Sequence, residues 1–212
     1  MAAGRVVHAF LELLAPRRCP GCDAIAIGAD AIPFCDACAP LIERAAQRPP
    51  ARSAAAFVFG GPLADAITRV KYGRRADLAA PLGMLLACEA LPYAGRIDCV
   101  VPLPLHPDRL RARGFNQSAL LAVPVARALG ARLDTSGLRR VRPTAEQAGL
   151  PRAQRADNVR AAFRADAHLG GLRVLVIDDV RTTGATSAEA VSALLDAGCE
   201  DVCALALAQA EV

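Results

Sequence analysis

Lysine is all but missing from this chain. Lys71 is the only one, so the basic side of a formal +4 net charge rests almost wholly on arginine. Such a skew reflects codon usage more readily than selection for phosphate at every site, and the net charge alone is weak support for nucleic-acid binding. Tryptophan is absent, aromatics make up 4% of the residues, and none follows Phe163. That scarcity leaves little for an extended base-stacking surface. No stretch approaches the roughly 18 to 20 apolar residues that a membrane helix needs. No Gly-Lys-Ser or Gly-Lys-Thr occurs, which excludes a Walker-type phosphate loop. Internal repeats and low-complexity tracts are also missing.

What remains is globular in composition, 54% hydrophobic and 22% charged, in 212 residues. That length suits one domain plus an appendage too small for a core of its own. The first apolar stretch, "RVVHAFLELLAP", is short, is interrupted by His8 and Glu12, and lacks a small-residue cleavage site. It reads as an amphipathic helix, not a signal peptide, and predicts a cytoplasmic protein with reduced thiols.

Half of the eight cysteines fall in one arrangement, "CPGC" (Cys19, Cys22) and "CDAC" (Cys35, Cys38). Two Cys-x-x-Cys turns aim four thiolates at one tetrahedral ion and free backbone N–H groups to bond the sulfurs, which favours structural Zn²⁺. Zinc is expected to replace a hydrophobic core for residues 16 to 40. Cys88, Cys99, Cys199 and Cys203 lie in apolar surroundings and read as small buried hydrophobes.

The predicted organisation is an N-terminal helix and zinc ribbon over 1–42, an Arg/Ala/Pro connector over 43–54, and one domain over 55–212. In that domain "AAFVFG", "DCVVPLPL", "RVLVID" and "DVCALALA" read as strands. "PLADAITRVKYG", "DLAAPLGMLLACEAL", "NQSALLAVPVARALG" and "TSAEAVSALLDAG" read as helices, the third kinked at Pro124 and the last opened by a Thr186/Glu189 capping box. Strand, helix, strand at this spacing predicts an open, mostly parallel α/β sheet flanked by helices.

The stretch "VLVIDDVRTTGAT" (174–186) runs a buried strand into Asp178 and Asp179, then a Thr/Gly turn and a helix. Open α/β sheets bind ligands at that edge. Backbone N–H groups of Thr182, Thr183, Gly184, Ala185 and Thr186 can wrap a phosphate, aided by the helix dipole. Adjacent carboxylates before such a cradle suit the 2′ and 3′ hydroxyls of a ribose 5-phosphate. The second informative stretch is "VVPLPLHPDRLRARGFNQS" (100–118). It places Arg109, Arg111 and Arg113 at alternate positions of a predicted loop, either a pyrophosphate clamp or a solvated face, and it opens a helix at Asn116. His106 reads as a general acid or a helix cap.

"VLVIDDVRTTGAT" resembles the signature of type I phosphoribosyltransferases, which bind phosphoribosyl pyrophosphate (PRPP) with Mg²⁺. The resemblance implies that Asp178 and Asp179 hold the ribose hydroxyls and that Thr182 to Thr186 bind the 5′-phosphate. Arg181 departs from the apolar residue common there. The four-cysteine ribbon, "VKYGRR", "VPLPLHPDRLRARGFNQS", "RPTAEQAGLPRAQRADNV" and this signature, in that order, are similar to the ComF family of bacteria. That likeness implies site roles around Lys71, Arg113 to Gln117, Thr144, Gln147, Arg155 and Asn158, and a part in DNA uptake during natural competence. On the residues alone, Lys71 suits a point charge for phosphate, while Thr144, Gln147, Arg152, Arg155 and Asn158 form a surface helix or a lid.

Two functions fit these readings. One is a phosphoribosyltransferase of unknown acceptor that releases pyrophosphate; the few aromatics disfavour purine salvage. The other is a non-enzymatic module for single-stranded DNA with PRPP as a regulatory ligand, working with the competence machinery. The ribbon, with Arg17 and Arg18 before Cys19 and Phe34 inside it, either touches DNA or is purely structural.

Overall fold

The structure, a computed structural model, describes residues 18–25, 33–142 and 162–210. The expected N-terminal helix and the segment carrying Thr144, Gln147, Arg152, Arg155 and Asn158 lie outside the described residues.

In chain order the elements are β1 (Ser53–Val58), α1 (Gly61–Tyr72), α2 (Ala79–Ala90), β2 (Cys99–Pro102), α3 (Pro107–Arg113), α4 (Gln117–Leu129), β3 (Arg132–Leu133), β4 (Leu138–Arg140), β5 (Phe163–Ala165), β6 (Arg173–Arg181), α5 (Ala185–Asp196) and β7 (Asp201–Gln209). Five strands form one sheet in the order β1-β7-β6-β2-β3, every pair parallel. Strands β4 and β5 pair antiparallel as a separate ribbon.

Successive side chains of a strand leave opposite faces, and β6 feeds two cores in this way. Leu175 and Ile177 join a cluster with residues of α1, α2 and α4. Val174 and Val176 join another with Ala190 and Leu194 of α5 and with Phe163 of β5. The sheet is thus covered on both faces, which is why its central strands are continuously apolar. Helices α2 and α4 approach closely because Gly83 has no side chain; a Cβ there would meet Pro124 Cγ at 2.9 Å and the Leu121 carbonyl at 3.1 Å. Helix α4 continues through Pro124 to Leu129.

Three local expectations change. Strand β6 does not stop before the acids but runs to Arg181, paired with β7 alone beyond the point where β2 ends opposite Ile177. Helix α5 starts at Ala185 with Gly184 at its N-cap, in the left-handed region at φ 80° and without a side-chain cap, so Thr186 and Glu189 do not sit in capping-box positions. The three arginines of 109–113 stand on a helix, not a loop; four residues apart, Arg109 and Arg113 share a face that excludes Arg111.

The ribbon is not a free-standing appendage held by metal alone. Cys19, Phe34 and Cys38 are buried in the same cluster as Leu63, Ala66 and Ile67 of α1. Gly21 sits so close to α1 that a Cβ would fall 2.6 Å from Pro62 Cβ, and Arg75 reaches back to Asp23 at 3.3 Å. Residues 43–47, at the start of the stretch read as a connector, run antiparallel along β1, with Ala45 N donating to Ala56 O and Ala55 N to Gln47 O.

Candidate functional site

Strand order decides where a ligand fits. From β6 the chain passes through α5 on one face to β7, whereas from β2 it passes through α4 on the other face to β3. The crevice at the carboxyl ends of β2 and β6 is therefore a topological switch point, the place where open α/β sheets take ligands. Asp178 and Asp179 stand there, both buried.

Asp179 meets the chain's single lysine, its Oδ2 lying 2.8 Å from Lys71 Nζ at the last turn of α1. This is a charge contact without hydrogen-bond directionality, and Asp179 Oδ2 has no directed hydrogen-bond partner. Asp178 Oδ1 accepts from Asp179 N at 2.8 Å and from Ser118 Oγ at 3.5 Å. Burial and then the Asp179 charge hold the Asp178 carboxyl well above the usual carboxylate range, with Lys71 pulling the other way.

The segment after β2 supplies the opposite wall. Arg113 Nη1 donates to Gln117 Oε1 at 2.6 Å, and its guanidinium lies 5.6 Å from the ring centroid of Tyr72. Gln117 is buried beside Asp179 in an apolar crevice with Ile67, Val70 and Leu121. Asn116 caps α4 by accepting from Ser118 N, and its Nδ2 donates to Leu103 O, so its amide positions the wall. His106 proves to be the cap of α3, with Nδ1 accepting from Asp108 N at 3.3 Å. Lys71, Arg113 and Gln117 thus come together with the two aspartates.

Arg109 belongs to the same electrostatic neighbourhood through Arg140 of β4, a residue the sequence reading did not single out. Burial and then Arg109 pull the Arg140 guanidinium down, while Asp178 draws it up. Arg140 also lies 5.5 Å from the Phe163 ring centroid. Its sequence context, "LRRVR", gives no hint of that influence.

The turn between β6 and α5 covers Thr182, Thr183 and Gly184. Gly184 takes the positive φ that other residues resist, and the first N–H groups of α5, from Ala185 and Thr186 onward, point out of the helix start as an anion cradle requires. Thr183 Oγ1 accepts from Ala185 N at 3.4 Å, and Gln209 Nε2 donates to Thr182 O at 2.7 Å. Arg181 turns away from this cradle to Gln209, Ser53 and Gln47. The departure at that position thus ties the turn to β7 and β1.

The ribbon sulfurs of Cys19, Cys22, Cys35 and Cys38 all lie within 4.8 Å of one another, with Cys22 and Cys35 3.6 Å apart. A tetrahedral Zn–S₄ site spaces sulfurs by about 3.8 Å, so the set fits zinc. Burial pushes the Cys19 thiol up, but N–H groups of Cys22, Cys35 and Gly21 outweigh it and bring it down to about 7, whereas burial and the neighbouring thiols hold Cys38 well above its usual value.

A parallel sheet with paired acids and a glycine turn at its switch point, preceded by a four-thiol ribbon, defines the phosphoribosyltransferase-like class of α/β proteins. No protein-family model matches the chain. It is 37% identical over 166 residues to DNA utilization protein YhgH of Salmonella typhi, covering 75% of this chain and 73% of that protein. The Escherichia coli K12 protein of the same name is 37% identical over 163 residues, covering 73% and 71%. Competence protein F of Haemophilus influenzae is 33% identical over 116 residues, covering 53% and 51%. Among solved structures, the glutamine PRPP amidotransferase of B. subtilis is 24% identical with a TM-score of 0.46, covering 66% of this chain and 30% of that one. The chain belongs to the ComF family.

Proposed function

We propose that the crevice binds PRPP with Mg²⁺ and that the protein acts in DNA uptake. The observation that carries the first part is the buried pair Asp178 and Asp179, set one short turn before the glycine-opened start of α5. A vicinal diol next to a 5′-phosphate matches that spacing, the carboxylates accepting from the hydroxyls and the turn amides donating to the phosphate. Arg109, Arg113 and Arg140 are the cations for the pyrophosphate end. Mg²⁺ suits one or two carboxylates plus ligand phosphate oxygens, and the adjacent carboxylates of Asp178 and Asp179 fit that donor set, with Lys71 as the neighbouring cation at Asp179 Oδ2. When bound, the ion neutralises pyrophosphate charge.

In the enzymatic reading an acceptor lone pair attacks the anomeric carbon, the C–O bond to pyrophosphate breaks, and the acceptor sheds a proton. The chain's task is to hold the sugar and stabilise the leaving group through its arginines, with no protein nucleophile. The relatives named for DNA utilization and competence support the second part, with single-stranded DNA as partner. The two readings diverge at turnover, since a transferase releases pyrophosphate when given its acceptor and a PRPP-regulated DNA binder does not.

The test is calorimetric titration with PRPP and Mg²⁺, repeated with short single-stranded DNA. Asp178→Asn with Asp179→Asn is expected to abolish PRPP binding and leave the zinc ribbon folded. Retained PRPP affinity in that double variant removes the ribose assignment.

A further inference from the structure

Among the described residues Tyr72 is the only exposed Phe or Tyr ring, 68% accessible at the end of α1. The other tyrosine, Tyr93, is buried and anchored by donating its hydroxyl to Ala51 O at 2.6 Å. Tyr72 follows Lys71, which touches Asp179, and its ring carries Arg113, whose guanidinium is fixed by the buried Gln117. Just beyond it, Gly73 permits a tight turn where a Cβ would meet Arg69 O at 2.8 Å. Exposed Arg74 follows at φ 54°, a conformation that non-glycine residues seldom adopt.

We propose that Tyr72 and Arg113 form a stacking platform for an unpaired nucleobase at the mouth of the crevice, flanked by Lys71 and Arg74 for phosphates. Aromatic side chains stack favourably on flat π systems, and a base offers a π-face whatever its identity. The guanidinium, held over the Tyr72 ring, adds a cation that attracts a π system and backbone phosphate. The platform deepens the DNA-handling part of the proposed function, which it rests on. The same base chemistry comes from a single strand or from a free nucleoside, and the test separates them.

The chain lacks tryptophan and has two tyrosines, so its intrinsic emission reports on Tyr72 and the buried Tyr93 alone. Unlabelled oligothymidine is expected to quench the emission of wild-type protein. In anisotropy with labelled oligothymidine, Tyr72→Ala is expected to bind about 5- to 150-fold more weakly, the range for loss of one stacked base. Tyr72→Phe keeps the ring and is expected to bind like wild type, while the emission left to it, from Tyr93, stays unquenched. Arg113→Gln is expected to weaken binding and lower its salt dependence.

Thymidine and adenosine form the second arm. Quenching by the nucleosides, with the same loss in Tyr72→Ala, assigns the platform to a free base; quenching by oligothymidine alone assigns it to a strand. Absence of quenching by either, wild-type affinity in Tyr72→Ala, or equal losses in Tyr72→Phe and Tyr72→Ala overturns the proposal. PRPP titration of Tyr72→Ala distinguishes the two sites. If wild type stacks bases but fails to bind PRPP, the sugar-phosphate reading falls and the platform stands.

Discussion

Replacing Lys71 by Met removes the one cation in contact with Asp179 among the described residues. The pair is 2.8 Å apart, with Lys71 20% and Asp179 8% exposed, so the carboxylate is left with almost no water to replace its partner. Removing one partner of a buried pair costs about 3–5 kcal/mol, and the partial exposure of Lys71 argues for the lower end, about 3 kcal/mol. Asp179→Asn alone is expected to cost about 1 kcal/mol, because the freed ammonium lies closer to solvent. The double variant strands no charge and is expected to fall within about 1 kcal/mol of wild type, giving a coupling of about 3 kcal/mol. For a chain of this size each kcal/mol moves the midpoint by about 2–4 °C, so Lys71→Met melts about 6–12 °C lower. Urea unfolding of all four proteins, with unchanged slopes, measures the cycle. Additivity within about 0.5 kcal/mol, or a Lys71→Met protein as stable as wild type, refutes the pairing and with it the placement of α1 against the acids.

The ribbon and the β4–β5 side of the molecule give two further expectations. Cys35→Ser should lower zinc content by metal analysis and speed amide exchange in the buried face of α1, through Phe34, without removing the PRPP site; full zinc occupancy counts against four thiolates. His168 places Nε2 2.7 Å from Asp134 Oδ2 and Nδ1 3.1 Å from Asp166 Oδ1, and these carboxylates raise its pKa. The stability from its protonation is fully present below about pH 6.5, the unfolded value, and is lost as pH rises through the higher folded value. Urea midpoints from about pH 6 to about pH 9 should fall over that window in wild type more than in His168→Gln.

The strands and the crevice were legible because their signals are local. Continuous apolar runs mark β6 and β7, and the paired acids followed by a glycine lie within one turn of chain. What escaped depends on partners far away in sequence. Arg140 acquires its setting only when β4 pairs with β5 and sets its guanidinium over Phe163. Arg181 looked out of place in the signature until its reach to Ser53 and Gln47 supplied a reason. The capping pattern at Thr186 and Glu189 misled for a local cause: Gly184 turns the chain early and the helix begins before the pattern does. The alternation of Arg109, Arg111 and Arg113 likewise has one meaning on an extended loop and another on α3.

The antiparallel run of residues 43–47 also bears on self-association. Strand β1, "SAAAFV", is short, uncharged and flat in side-chain profile, and it lies at the border of the sheet. Left open, its free N–H and C=O groups would be a template on which a second molecule's strand could grow. The overlying run takes up those groups and ends at Arg48 and the prolines at 49 and 50, which are poor material for further pairing. At the other border β3 is only two residues long and begins with Arg132. The β1 margin is thereby closed to strand addition, and the β3 margin offers a second strand little to pair with.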